Sequence, residues 1–246
     1  MARTALVTGA NRGIGLEFVR QLLARGDHVV AACRHPGKAS ALNTLAGEHP
    51  GRLHVLPLDV ADAKSRASLL HDLPLVLGDD GRIDLLLNNA GVLHSGERFG
   101  HVEQAMLDDS LRTNAIGPFL LAQALVPLLC DVAPGHADDT GSPRTVIANI
   151  SSQLGSIANT TRFGTPSYAI SKAAQNMASV LLARALAERG IVVLALHPGW
   201  VQTEMGGAQA QVTPADAVAG LLRVIDAATP SRSGAFLDWR GASLPW

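Results

Sequence analysis

Short apolar runs rich in valine, leucine and isoleucine recur along this chain and alternate with longer amphipathic segments. The runs are nearly continuous, which is typical of strands buried on both faces of a parallel sheet. The predicted strands are Thr4–Val7, His28–Ala32, Leu53–Leu56, Ile83–Leu87, Thr145–Ile150, Ile191–Leu196 and Ala235–Leu237. The predicted helices are Gly15–Arg25, Ala63–Leu77, His101–Val126, Ser167–Arg189 and Pro214–Ala228.

This alternation predicts right-handed βαβ units and a doubly wound α/β fold. We expect a seven-stranded, mostly parallel sheet with helices on both faces, in one domain that spans residues 1–246. The segment Ala133–Arg144 is rich in proline, glycine, aspartate and serine, and it indicates a surface loop before a strand instead of a domain linker.

Composition narrows the possible functions. Hydrophobic residues make up 47% of the 246 residues, enough for a sizeable core, and the formal net charge is -1 with no basic run. These values argue against nucleic-acid binding and against binding to an anionic membrane. The N-terminal residues lack the apolar stretch of a signal peptide, and no apolar run reaches membrane-spanning length. We therefore expect a cytoplasmic protein in which Cys33 and Cys130 are reduced thiols.

A glycine-rich turn follows the first predicted strand. Its sequence is Thr8-Gly9-Ala10-Asn11-Arg12-Gly13-Ile14-Gly15, directly before a helix. Glycines at this place let the backbone approach a pyrophosphate closely, and the helix N-terminus supplies free N–H groups. The spacing Gly-x-x-x-Gly-x-Gly differs from the commonest dinucleotide fingerprint, but its position favours a Rossmann-type dinucleotide site over a turn without a ligand.

The end of the second predicted strand indicates which dinucleotide is bound. NAD-binding folds carry an acidic residue there for the ribose hydroxyls, whereas this strand is followed by Arg34 and no carboxylate. Arg34, together with Arg12 in the glycine turn, suits a 2′-phosphate, because the guanidinium binds phosphate through two N–H groups. We therefore predict NADP(H) in preference to NAD(H). The alternative is that both arginines are ordinary surface cations.

The one tyrosine of the chain, Tyr168, precedes Lys172 by one helical turn, so both side chains share a helix face. A free phenol has a pKa of about 10. A nearby cation lowers that pKa by about 1–3 units, which makes the phenol a usable acid and base near neutral pH. Such a pair also arises by chance, as a core aromatic beside a solvated lysine. A serine pair, Ser151 and Ser152, follows the strand Thr145–Ile150, and either hydroxyl could serve as a donor to a substrate.

Taken in order, these motifs resemble the short-chain dehydrogenase/reductase family over nearly the whole chain. The matching motifs are Thr8-Gly9-x-x-x-Gly13-Ile14-Gly15, Asp59-Val60, Asn88-Asn89-Ala90-Gly91, Asn114, Ser151-Ser152, Tyr168-x-x-x-Lys172 and Pro198-Gly199-x-x-x-Thr203. Within the family the chain looks most like the carbonyl reductase branch that includes the sniffer and C-factor proteins. That closer likeness is carried by Gly9–Gly13, Gly155–Ile157, Gly234–Asp238 and Pro245-Trp246.

The resemblance implies a role for each matching position. Catalytic roles fall on Asn114, Ser152, Tyr168 and Lys172. Ser152, which the alignment favours over Ser151, would bind the substrate carbonyl, and Asn114 would kink its helix and anchor a water leading to Lys172. Cofactor-binding roles fall on Gly9, Asn11, Arg12, Gly13, Ile14, Gly15, Arg34, Asp59, Val60, Asn88, Ala90, Gly91, Tyr168, Lys172, Pro198, Gly199, Val201 and Thr203. The segment from Trp200 to Val212 would fold over the substrate.

The leading hypothesis is an NADPH-dependent reductase of ketones, aldehydes or diketones. One alternative is an NAD(P)+-dependent alcohol or hydroxysteroid dehydrogenase, and another is a dinucleotide-binding redox or signalling protein with little turnover. No histidine pair has metal-binding helical spacing, so we expect no metal site. The family resemblance implies pairing through the helix of Tyr168, whose other face offers Ala173, Met177, Val180 and Leu181, although this stripe equally fits core packing. We predict a homodimer, with a tetramer and a monomer as the alternatives.

Overall fold

The computed structural model describes residues 2–77, 81–129 and 145–246. Within these ranges, seven parallel strands form one sheet in the order β3-β2-β1-β4-β5-β6-β7. The strands are β1 (Thr4–Thr8), β2 (His28–Cys33), β3 (Leu53–Pro57), β4 (Leu85–Asn88), β5 (Val146–Ile150), β6 (Val192–His197) and β7 (Phe236–Asp238). The predicted doubly wound fold is therefore confirmed. The predicted loop Ala133–Arg144 and Cys130 lie outside the described residues.

The helices follow the prediction with two differences. They are α1 (Gly13–Ala24), α2 (Ser40–Glu48), α3 (Ala63–Leu77), α4 (Gln104–Leu111), α5 (Gly117–Leu125), α6 (Pro166–Ala185) and α7 (Pro214–Asp226). The sequence did not predict α2, which buries only Leu42. The predicted helix His101–Val126 is divided, because a π-helical turn at Arg112–Ile116 joins α4 to α5.

The core lies on both faces of the sheet, as the continuous apolar strands predicted. Successive side chains of a strand point to opposite faces. Thus Val7 contributes to the layer beneath α1 and α7, while its neighbour Leu6 contributes to the layer beneath α3, α5 and α6. Phe18 and Leu121, on opposite faces, are fully buried. Burying one such side chain contributes roughly 1.5–3 kcal/mol.

The strand order reverses between β1 and β4, and this switch point positions the functional site. From β1 the chain runs outward to β2 and β3, and it then crosses over to β4 and continues to β7. The loops after β1 and β4 therefore diverge to opposite faces and leave a crevice at the carboxyl ends of the strands, where ligands of such folds bind.

Residues 242–246 fold back on the end of the sheet. A short antiparallel bridge joins Ser243 to Leu237 of β7, and the Leu244 N–H donates to the Phe236 carbonyl at 2.9 Å. The Trp246 ring stacks on Phe236 with ring centres 5.3 Å apart, and the Trp246 carbonyl accepts from the Ala158 N–H at 2.9 Å. This segment therefore supports the loop that follows β5.

Candidate active site

The glycine turn after β1 is locked to the turn after β4 by one hydroxyl. Thr8 Oγ1 accepts hydrogen bonds from the N–H groups of Asn89 and Ala90, both at 3.0 Å, and donates to the Leu87 carbonyl at 3.3 Å. The Asn89 amide donates to the Thr8 carbonyl at 2.9 Å. These bonds hold the two walls of the crevice at a fixed separation.

Three glycines keep this turn free of side chains. A Cβ on Gly9, whose φ is 63°, would lie 2.8 Å from the Ala90 Cα, and one on Gly15 would lie 2.2 Å from the Gly9 carbonyl oxygen. Gly13 has a φ of 54° and packs against Thr203. The exposed backbone and the start of α1 together form the kind of cradle that a dinucleotide pyrophosphate requires.

A cavity of about 1210 Å³ opens above this cradle. That volume exceeds the range of about 300–1,000 Å³ usual for one small ligand, so it can accommodate a dinucleotide together with a substrate. The predicted residues that line it are Gly9, Asn11, Arg12, Gly13, Ile14, Arg34, Asp59, Val60, Ala90, Gly91, Ser152, Tyr168, Lys172, Pro198, Gly199, Val201 and Thr203. Three predicted residues do not line it: Gly15 lies beneath the turn, Asn88 is buried in the sheet, and Asn114 lies behind the cavity wall.

Positively charged side chains line the cavity at the end of β2. Arg34 lines the cavity and has no side-chain partner in the part of the chain that the structure describes. Lys38, four residues later, lines the same end, and the sequence analysis missed it although a second cation after β2 was a visible signal. Arg12 instead pairs with the exposed Glu204 across the cavity mouth. At this end of the cavity, Arg34 and Lys38 are the cations without an ion-pair partner among the described residues.

The two serines after β5 have different surroundings. The Ser151 hydroxyl, almost fully buried, donates to Asn176 Oδ1 on α6 at 2.5 Å. The Ser152 side chain caps the short turn at 153–155, accepting from the Leu154 N–H at 3.1 Å, and it also interacts with the Tyr168 phenol. Of the two hydroxyls that the sequence left open, the Ser152 hydroxyl is the one that meets Tyr168.

Helix α6 carries Tyr168 and Lys172, and two contacts fix its position. Its first turn is capped by Glu97, which accepts from the Ser167 hydroxyl at 2.9 Å, and a carboxylate is favourable at a helix N-terminus. Farther along, α6 packs so closely on the loop after β5 that a Cβ on Gly155 would lie 2.7 Å from the Lys172 backbone. The serine and the tyrosine are thereby brought together.

Burial dominates the ionisation of Tyr168 and Lys172. It raises the pKa of Tyr168 to about 12, although the hydrogen bond with Ser152 acts in the opposite direction. Burial also lowers the pKa of Lys172 to about 7. The net lowering of the Tyr168 pKa that the sequence predicted is therefore wrong for this structure, because desolvation raises that pKa more than a nearby cation lowers it. The Lys172 Nζ lies 5.6 Å from the centre of the Tyr168 ring.

Lys172 is held from below by two acceptors. Its Nζ donates to the Ile150 carbonyl at 2.6 Å and to Gln175 Oε1 at 2.8 Å. Sequence reasoning did not identify Gln175, because a glutamine on a helix carries no chemical signal until its neighbour is known. Asn114, in the π-helical turn, bonds both backbone groups of Val92 and donates to the Ser171 hydroxyl at 2.9 Å. Asn114 thus ties the loop after β4 to α6.

The other end of the cavity is largely apolar. Leu154, Trp200 and Met205 line it, together with Arg162 from the extended loop between Ser152 and Tyr168. His197 also lines the cavity, and burial lowers its pKa to about 4. Phe163, in the same loop as Arg162, forms an edge-to-face pair with Phe99, with ring centres 5.6 Å apart. The arrangement provides an apolar compartment beside the Tyr168 phenol.

Two further observations concern the whole described part of the chain. No helix among the described residues is long and apolar enough to cross a membrane. No group of three or more histidine, cysteine or carboxylate side chains that could hold a metal ion occurs among the same residues.

Comparison with known proteins gives consistent matches. A family model described as short chain dehydrogenase matches residues 3–213. The C-signal protein of Myxococcus xanthus is 40% identical over 166 residues, which cover 68% of this chain and 94% of that protein.

Solved structures match the entire chain. The NADPH-bound carbonyl reductase from chicken fatty liver superposes with a TM-score of 0.90 at 38% identity, covering 100% of this chain and 99% of that one. The carbonyl reductase Sniffer of D. melanogaster superposes with a TM-score of 0.92 at 33% identity, and the match covers 100% of both chains.

Proposed function

The chain belongs to the short-chain dehydrogenase family of oxidoreductases, and from that premise we propose that it is an NADPH-dependent reductase of ketones, aldehydes or diketones. The observation that carries the proposal is the convergence of Ser152, Tyr168 and Lys172 at the carboxyl end of β5, beside a large cavity. The similarity of the whole chain to two carbonyl reductases supports the same reaction class.

The cofactor of this proposal is NADP(H), in preference to NAD(H). Arg34 and Lys38 supply cations for a 2′-phosphate, and no carboxylate follows β2 to bind the corresponding hydroxyl of NAD. The similar enzyme from chicken fatty liver was solved with NADPH bound. The residues that would hold the rest of the cofactor are Gly9, Asn11, Gly13 and Ile14 for the pyrophosphate, Asp59, Val60, Ala90 and Gly91 for the adenosine, and Pro198, Gly199, Val201 and Thr203 for the nicotinamide.

In the proposed mechanism the cofactor, when bound, would supply a hydride to the carbonyl carbon. Side chains of the protein would polarise the carbonyl and donate the proton. The Ser152 hydroxyl donates a hydrogen bond to the carbonyl oxygen and polarises it. The Tyr168 phenol gives its proton to the same oxygen as it becomes an alkoxide. Lys172, in its ammonium form, stabilises the phenolate left on Tyr168 and would hold the nicotinamide ribose. Asn114 keeps α6 against the loop after β4 and would anchor a water leading to Lys172.

The ionisation of Tyr168 fits the role of a general acid. Such a group must carry its proton before the reaction, and burial raises the pKa of Tyr168 to about 12, so the phenol is protonated at neutral pH. The same side chain would act as the base in alcohol oxidation. The alternative of an alcohol or hydroxysteroid dehydrogenase is therefore a second candidate, which turnover of alcohols with NAD(P)+ would test.

A third candidate is a dinucleotide-binding signalling protein with little turnover, and the C-signal relative is the observation that favours it. A sensor of this kind has no requirement for a proton donor beside the cavity. This chain keeps Asn114, Ser152, Tyr168 and Lys172 together, which supports the enzyme.

The test is the absorbance change of NADPH with a panel of aldehydes, ketones, diketones and quinones. We expect Tyr168→Phe to reduce turnover by at least about 100-fold, because it removes the proton donor and leaves the ring in place. NADPH affinity, measured by fluorescence, should remain close to that of the native protein.

The serine pair offers a matched control. Ser152→Ala should lower turnover, whereas Ser151→Ala, which removes a hydroxyl facing Asn176, should leave the rate of the folded protein nearly unchanged. Substantial turnover by Tyr168→Phe would remove the phenol from the acid role. NADPH binding without turnover of any carbonyl in the native protein would favour the signalling candidate.

A further inference from the structure

Gln175 makes a contact that the reaction chemistry does not by itself require. It lies on α6 three residues after Lys172, with only 1% of its surface exposed. Its side-chain oxygen accepts a hydrogen bond from the Lys172 Nζ at 2.8 Å, and the Ile150 carbonyl supplies a second acceptor at 2.6 Å. Two uncharged oxygens therefore face the lysine from beneath.

The side-chain nitrogen of Gln175 indicates that a glutamine at this position lowers the stability of the fold. Its Nε2 is buried and has no hydrogen-bond partner among the described residues. An unpaired buried donor lowers stability, and an apolar side chain of similar shape would remove that deficit. A glutamine at this position is therefore best explained by what its oxygen does for Lys172.

We propose that Gln175 is a positioning residue whose side-chain oxygen holds the Lys172 amine behind Tyr168 and favours its ammonium form. A hydrogen bond to the charged form of a group favours that form. Replacing the oxygen with an apolar atom would leave the Ile150 carbonyl as the one hydrogen-bond acceptor of the Lys172 Nζ among the described residues. The consequence for catalysis rests on the proposed function, whereas the effect on the charge of Lys172 does not.

The groups nearest to Lys172 on α6 and β5 are uncharged, so a neutral hydrogen-bond acceptor can influence its protonation. Within α6 the titratable neighbour is Tyr168, whose pKa burial raises, so it is neutral at physiological pH. The strand β5 and its loop contribute the Ile150 carbonyl and the hydroxyls of Ser151 and Ser152, and the turn after β4 contributes Gly91.

Other elements packed against α6 bring few charges. The end of β6 brings His197 to the same cavity, and burial lowers its pKa to about 4, so it is uncharged near neutral pH. The loop before α4 places Glu97 on Ser167 at the start of α6, and α4 carries Asp109, which bonds His94. The π-helical turn contributes the uncharged Asn114. The groups that contact the Lys172 Nζ directly are thus the uncharged oxygens of Ile150 and Gln175.

The chain permits a direct measurement, because it contains three lysines, Lys38, Lys64 and Lys172. Lysine labelled with ¹³C at Cε gives one NMR signal for each, and Lys172→Arg assigns the buried one. The pKa of Lys172 is lowered by burial to about 7 in the native protein. We expect this midpoint to fall by about one pH unit in Gln175→Met, which keeps the shape and removes the acceptor. We expect it to rise by about one pH unit or more in Gln175→Glu, because a carboxylate attracts the ammonium.

Ser179→Ala is the matched control, since it removes a buried hydrogen-bonding group one turn farther along α6 without touching Lys172. We expect an unchanged Lys172 midpoint in this variant. Opposite shifts in the two Gln175 variants support the proposal, whereas unchanged midpoints or shifts in the same direction overturn it. If Gln175→Met does not fold, the Lys172 midpoint of Gln175→Glu becomes the test. A raised midpoint then supports the proposal, and an unchanged or lowered midpoint overturns it.

NADPH affinity measured against pH adds a functional readout that needs no turnover. The pH at which affinity declines should move down in Gln175→Met and up in Gln175→Glu, since the ammonium is the form that binds ribose hydroxyls and attracts phosphates. If native protein reduces no carbonyl, the reductase proposal fails while the NMR titration still tests Gln175. If turnover is present but the titration midpoints do not move, only the role of Gln175 is overturned.

Discussion

At the scale of single residues, burial decides the chemistry of Tyr168 and Lys172. Each side chain is pushed towards its neutral form, the phenol by a raised pKa and the amine by a lowered one. A pair three to four residues apart on a helix suggests mutual attraction, but the sequence does not reveal how much water each group loses. The same loss of water keeps the proton on Tyr168, which suits a general acid.

Arg34 permits a residue-scale test of cofactor choice. Arg34→Asp should lower kcat/KM with NADPH by about 10–100-fold, because a charge-assisted contact is worth roughly 1.5–3 kcal/mol. Catalytic efficiency with NADH should stay the same or rise. Initial rates with both cofactors give the comparison, and Arg184→Asp, an exposed arginine at the end of α6, serves as a control for the change in charge. An unchanged NADPH-to-NADH ratio in Arg34→Asp would contradict the assignment.

At the scale of elements, the site depends on supports that lie outside it. The Glu97 cap fixes the start of α6, the bare backbone of Gly155 lets α6 approach β5, and Trp246 steadies the loop at Ala158. None of these supports is chemically reactive. They set the distance between Ser152 and Tyr168, on which proton transfer depends.

A substitution at Trp246 tests whether residues 242–246 support the loop that follows β5. Trp246→Ala removes the stacking on Phe236, which should lower stability by about 1 kcal/mol and raise the KM for the carbonyl substrate several-fold. NADPH affinity should not change, because the cradle lies at the opposite end of the cavity. Steady-state kinetics and thermal denaturation measure both effects. Trp246→Phe, which retains an aromatic ring, should recover most of the native KM, and equal KM values in all three proteins would rule out the support.

At the scale of the whole molecule, the reversal of strand order between β1 and β4 explains why a single sheet brings the glycine cradle and Tyr168 to one crevice. Most apolar side chains of the described residues lie in the two core layers, but several are exposed, and one exposed group lies on and beside α6. Its members are Ile116, Ile170, Met177 and Leu181, each about half exposed or more. We propose that this face joins two copies of the chain.

The molar mass of the protein in solution tests the proposed homodimer. Light scattering of the native protein should give twice 25.6 kDa, and the double variant Met177→Glu with Leu181→Glu should give 25.6 kDa, because buried like charges oppose association. Leu75→Glu is a matched control, since Leu75 is 80% exposed but lies on α3. A native mass of 25.6 kDa, or a double variant that stays dimeric, would disprove this interface.

The sequence predicted the architecture because each buried parallel strand is a continuous apolar run and most of the motifs, such as the glycine turn and Ser151-Ser152, directly follow a strand. It did not predict α2, whose nine residues have no capping side chain and bury only Leu42. Lys38 and Gln175 were missed because their meaning depends on what lies beside them in space, at the cavity and at Lys172 respectively. The Tyr168 pKa was predicted in the wrong direction for the same reason, since desolvation is a property of the packed molecule.

The return of residues 242–244 against β7 has a consequence for how copies of this chain can assemble. An outermost strand normally offers unpaired N–H and C=O groups, and these can continue the hydrogen-bonded ladder into a neighbouring molecule. Here the Asp238 N–H donates to the Ala242 carbonyl, and the Phe236 carbonyl accepts from the Leu244 N–H, so that ladder is already occupied. Two copies therefore cannot merge their sheets across β7 unless this short segment first detaches, and growth into larger ladder-joined assemblies is blocked at that side of the molecule.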